Sequence, residues 1–123
     1  MPEPQNSHAV ALAGLAGPLS VYVRIPVAFD PDERFARFEE PLDSALQFSE
    51  AGRVAGGGTM YSAERGDEAR EALFCGIDVD LDRPAKGFGI LLEELRHLEV
   101  PRGTTIELVV DGREYAVEVW TAG

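Results

Sequence analysis

Val21, Val23 and Ile25 alternate with Tyr22 and Arg24, the period-two pattern of a strand with one buried face. Pro26 follows and cannot donate to a ladder, so pairing is expected to stop there. The stretch FDPDERFARF (29–38) predicts a loop that turns at Asp30-Pro31 and leads toward a helical turn. A first helix is expected from about Pro41, because proline suits the first helical turn. Leu42, Ala45, Leu46 and Ser49 then fall on one side, Phe48 adds cover from the flank, and Gly52 supplies the stop. A second strand runs from Arg53 to Tyr61, followed by the polar stretch from Ser62 to Ala72, a long loop or a helical turn around Asp67 to Leu73.

The same order then repeats. Ile77, Val79 and Leu81 alternate with Asp78, Asp80 and Asp82 in a third strand that begins at Cys75. Pro84 opens a second helix in which Phe88, Leu91, Leu92, Leu95 and Leu98 follow helical spacing against Glu93, Glu94, Arg96 and His97. Gly87 and Gly89 weaken its first turn by about 1 kcal/mol each relative to alanine. Ile106–Val110, Asp111-Gly112 and Tyr115–Trp120 form a hairpin, since Asp-Gly suits a two-residue turn that needs positive φ.

Two strand-helix-strand units with right-handed crossovers can interleave into one antiparallel sheet. Over about residues 20–110 this segment order resembles the ferredoxin-like split β-α-β sandwich. The resemblance implies an α+β fold with an antiparallel sheet of four to five strands, two helices on one face and a C-terminal β-hairpin. Residues 1–18 are expected to be a flexible or edge-docking N-terminal tail, and residues 19–123 a single α+β domain. The chain of 123 residues has room for one domain and not two.

Charge changes the picture more than composition does. The chain carries 22 acids against 11 bases, a formal charge of −11. Phosphate backbones and anionic membranes would need a local basic patch, and none is visible, so no nucleic acid and no membrane partner is expected. No apolar run approaches the ~20 residues of a membrane span. The N-terminal residues before Ala9 hold an acid and no Lys or Arg, unlike a secretory signal, and the single Cys75 suits a reducing compartment; a cytoplasmic location is expected.

The candidate chemistry is sparse. The ladder of Asp78, Asp80 and Asp82 would put its carboxylates on one sheet face, with Arg24 beside Asp78 or Asp80; its calcium-loop reading fails because Gly89 stands where the twelfth position needs Glu. Gly56, Gly57, Gly58 and Thr59 lie in the second strand without the lysine or following helix of a phosphate loop, so they mark a bulge or edge, or a place where a ligand nears the backbone. Cys75 has no histidine placed beside it by sequence and is expected as core, and two histidines with one cysteine write no zinc site. Phe29, Phe35 and Phe38 with Arg34 and Arg37 are either a lid folded onto the core or a partner-binding loop. Tyr22, Tyr61, Val109 and Trp120 are candidates for an apolar patch on the sheet face away from the helices.

No general acid and base are paired by spacing, so an enzyme is the least favoured of three readings, and neither a cofactor nor a metal site is expected. The leading expectation is a small acidic non-catalytic protein-interaction module, of the inhibitor or immunity type found in bacteria, that binds a basic partner surface. Glu64, Asp67, Glu68 and Glu71 on the long loop, or Asp78 and Asp80, would meet that partner. The alternative is a dimeric small-molecule-binding regulatory domain, with Gly56, Gly57, Gly58 and Thr59 admitting a ligand and Arg24 or Arg53 holding its anionic group.

Overall fold

The computed structural model describes residues 7–62 and 72–120. Helix α1 (Ser7–Ala13) leads into β1 (Leu19–Ile25), then α2 (Pro31–Arg34), a widened π-turn (Phe35–Glu39) and α3 (Glu40–Phe48). Strands β2 (Gly52–Tyr61) and β3 (Ala72–Leu81) follow, then α4 (Pro84–His97) and the hairpin of β4 (Thr105–Val110) and β5 (Arg113–Glu118). The fold is α+β: an open, fully antiparallel five-stranded sheet in the order β2-β3-β1-β4-β5.

The alternation foreseen in the strands sets which face is buried. Val21, Val23 and Ile25, Cys75, Ile77, Val79 and Leu81, and Ile106, Leu108 and Val110 join one core with Phe38, Leu42, Leu46, Phe88, Leu91 and Leu95 of the helices. Each fully buried leucine of α3 and α4 contributes about 1.5–3 kcal/mol relative to exposure. Gly87 lets α4 close onto the sheet, since a Cβ there would meet Leu81 at 2.9 Å and the Ala51 carbonyl at 3.0 Å. Within the segment expected as a tail, α1 packs on α4 instead of on a sheet edge: Leu12 enters the core and His8 sits 5.2 Å from the Phe88 ring.

The first helix departs from expectation. It begins at Pro31, not Pro41, and runs through Phe48 with one widened turn, in which the Glu40 N–H bonds to the Phe35 carbonyl. A proline inside a helix lacks its donor and crowds the carbonyl four residues back. The wide turn just before Pro41 is a usual way to absorb that conflict. Phe48 was expected to cover the apolar stripe, yet it is 93% exposed. At 100° per residue it lies about 200° from Leu46, on the opposite side of the helix.

The C-terminal hairpin turns at Asp111 and Gly112, both at positive φ (52° and 78°), as the Asp-Gly pair requires. β5 ends at Glu118, and Trp120 does not join the uncovered face. Its Nε1 donates to the Val100 carbonyl at 2.7 Å and its ring packs against the core.

Candidate functional site

The sheet face away from the helices has no cover among the described residues. Opposed residues of an antiparallel pair share a face, so the register assigns its members. Ser20 lies opposite Asp80 and Tyr22 opposite Asp78; on the other side of β1, Tyr22 lies opposite Glu107 and Arg24 opposite Thr105. Glu107 is opposite Ala116, Val109 opposite Glu114, and Thr105 opposite Glu118. β2 adds Arg53, opposite Asp80. Five carboxylates (Asp78, Asp80, Glu107, Glu114, Glu118) thus face two guanidiniums (Arg24, Arg53) on this surface.

A depression of about 570 Å³ lies across β3, β1, β4 and β5 on this face, lined by Ser20, Tyr22, Asp78, Glu107, Val109 and Glu114. The Tyr22 ring lies over Gly76, where a Cβ would overlap it. Burial first, then Asp78 and Glu107, raise the Tyr22 pKa above the usual tyrosine value, against the pull of Arg24. The phenol is therefore a neutral donor and acceptor at neutral pH.

The two arginines do not neutralise the face. Arg24 was expected beside Asp78 or Asp80, but the register sets it opposite Gly76. Its guanidinium stacks 3.9 Å over the Phe74 ring and reaches Glu107 only at 3.9 Å. Arg53 meets Asp80 at 3.6 Å, and the Ser20 hydroxyl donates to the same carboxylate at 2.8 Å. Such exposed pairs contribute about 0–1 kcal/mol each. Asp78 and Glu114 have no cation among these pairs. Asp82 lies past the end of β3, where its N–H donates to the Ala51 carbonyl at 2.8 Å. Glu64, Asp67, Glu68 and Glu71 lie outside the described residues.

The glycine run lies in β2, with a register shift between Val54 and Gly56. Its members differ in surroundings. Gly56 and Gly58 have empty space where a side chain would project, whereas a Cβ on Gly57 would lie 3.0 Å from three carboxylate atoms of Glu39. That carboxylate accepts from Arg34 Nε at 2.7 Å, and Arg34 Nη1 donates to the Thr59 hydroxyl at 3.1 Å. Arg34 and Glu39 side chains are only 9% and 11% exposed. Gly57 and Thr59 thus frame an internal ion pair. Arg24, Gly76 and Gly58 share one cross-strand row, so Arg24 is two strands away from the glycine run.

The Arg34–Glu39–Thr59 cluster was missed in the sequence. Arg34 and Glu39 are five residues apart, a spacing that meets only across a π-turn. Of the aromatic segment, Phe38 is fully buried with Phe29 edge-on at 5.1 Å, while Phe35 is 55% exposed. Cys75 is buried, its thiol 3.3 Å from the Val27 carbonyl. Among the described residues, no group of His, Cys, Asp and Glu is placed to hold a metal ion, and no helix is long and apolar enough to cross a membrane.

No protein-family model and no curated protein matches the chain. Among solved structures, a phage SAM lyase in complex with S-methyl-5'-thioadenosine is similar over 86% of this chain and 94% of that chain, with 8% identity and a TM-score of 0.44. A likeness that distant carries no argument about activity here.

Proposed function

We propose that this chain is a small acidic, non-catalytic interaction module that binds a basic protein surface through its uncovered sheet face. The observation that carries the reading is the charge on that face: five carboxylates against two arginines, around a depression of about 570 Å³ floored by neutral Tyr22 and Val109. A two-layer fold with one bare face must solvate it or cover it. Acids at the rim speed encounter with a cationic partner, and Tyr22 with Val109 offers it a partly apolar centre. The ferredoxin-like reading belongs with this proposal: β1 lies between β3 and β4, the two crossovers carry α3 and α4, and β5 extends the sheet beyond the four-stranded pattern. The ligand-binding alternative draws less support, because Glu39 fills the space beside Gly57 and Arg34 engages Thr59.

The test compares tagged wild type with the triple variant Asp78→Asn, Glu107→Gln, Glu114→Gln as bait in source extract, at low and high salt. The reading expects a basic partner held by the wild type at low salt, released at high salt and not held by the variant. A partner held equally by both proteins would remove the open face from the account.

A further inference from the structure

β2 contributes Arg53 to the open face, but the main-chain groups along its outer edge are a separate feature. Among the described residues no strand pairs with it, and at ten residues it is longer than β5, the six-residue strand at the other edge. Natural proteins usually blunt such an edge with charge, proline, shortness or a bulge. From Ala55 to Thr59 this edge has neither charge nor proline; register shifts fall at its two ends, at Ala55 between Val54 and Gly56 and again between Met60 and Tyr61, and leave Gly56 to Thr59 in regular pairing with β3. Gly56 and Gly58, opposite Asp78 and Gly76, put no side chain above the edge on the uncovered face, so nothing there crowds the side chains of an added strand.

Beside this stretch, between α3 and β2, is a second depression of about 220 Å³ lined by Phe35, Glu39, Glu40, Asp43, Val54 and Gly56. Phe35 presents an exposed ring there, while Glu40 and Asp43 supply negative charge. Asp43 also accepts the Val54 N–H at 2.9 Å, which caps the start of the edge and leaves the glycines beyond it. Farther along, Met60 and Tyr61 are about half exposed.

We propose that this edge accepts an extended segment of a basic partner protein as a sixth strand, with a Lys or Arg of that segment in the depression. Main-chain hydrogen bonds supply affinity in this mode, and pockets for alternate side chains supply specificity. The aliphatic stem of the cation lies on the Phe35 ring and its charge approaches Glu40 and Asp43. A second copy of the chain fits poorly. Its β2 offers Arg53 as sole cation, and antiparallel pairing centred on Gly57 sets that residue opposite Tyr61, away from Glu40 and Asp43. The inference shares with the proposed function only the basic character of the partner.

Random peptides displayed on phage and selected on the intact chain test it. Selected peptides are expected to carry Lys or Arg, to lack proline in the paired stretch, and to shift the amide resonances of β2 and α3 on saturation. Glu40→Lys is expected to weaken them about tenfold or more, while the open-face triple variant binds them as the wild type does. That last comparison separates failure of the edge from failure of the face. Selected peptides without cations, amide shifts confined to the open face, full affinity in Glu40→Lys, or no saturable peptide at all would overturn the inference.

Discussion

Replacing Gly57 by alanine places one methyl group against the internal ion pair. The new Cβ lies 3.0 Å from Cδ, Oε1 and Oε2 of Glu39, closer than side chains normally approach, so the carboxylate must give by a few tenths of an ångström. It is not free to do so, because Arg34 Nε holds it at 2.7 Å and Arg34 is itself tied to Thr59. Full rupture of a buried pair costs about 3–5 kcal/mol, and tight overpacking about 1–3 kcal/mol. Alanine returns roughly 0.5–1 kcal/mol through a less flexible unfolded chain. The expected net loss is therefore about 1–2 kcal/mol. For a domain of this size that is a fall in Tm of roughly 4–10 °C. Gly58→Ala is the matched control: same strand, open space, and an expected change from zero to about 1 kcal/mol of stabilisation. Urea unfolding followed by circular dichroism measures both. In a Glu39→Ala background, itself less stable by about 3–5 kcal/mol, the Gly57→Ala penalty should disappear. Equal stability of Gly57→Ala and Gly58→Ala, or a penalty unchanged without Glu39, would refute the reasoning.

Two further outcomes follow from the open face. Gly76→Ala should destabilise by about 1–3 kcal/mol, because its methyl group overlaps Tyr22; most of that loss should vanish in a Tyr22→Ala background, as denaturant titration of the single and double variants would show. Tyr22 should ionise above the usual tyrosine pKa of about 10, since burial and the charges of Asp78 and Glu107 raise it. The native state then holds the phenolic proton longer than the unfolded chain does, so this contribution to stability is fully present below the unfolded pKa and is lost as pH rises through the folded one. Phenolate absorbance of wild type against Tyr22→Phe isolates the late step, and Asp78→Asn should bring it earlier.

Much of the fold is legible because local chemistry leaves few choices. Val21, Val23 and Ile25 alternate cleanly, and Asp111-Gly112 demands a tight hairpin; both lie where expected. Pro41 misled because a proline suited to a first helical turn also survives inside a helix when a widened turn precedes it. The same widened turn hid the link between Arg34 and Glu39, since helical spacing pairs residues three or four apart. It also hid why Gly57 is a glycine, which depends on a carboxylate eighteen positions earlier. Asp78 and Asp80 were legible as one face, but which arginine meets which acid depends on strand register, and no single strand encodes that. Phe48 shows the reverse error: an apolar residue near a buried stripe need not belong to it.

In the proposed function the acidic open face is where a basic partner lands. The most direct measurement is the association rate of the captured partner with wild type and with the Asp78→Asn, Glu107→Gln, Glu114→Gln variant across a range of ionic strength. The wild-type rate should be fast and fall steeply with salt, while the variant, with three of the 22 acids neutralised, should start slower and fall less steeply. Superimposable salt profiles for the two proteins would contradict it.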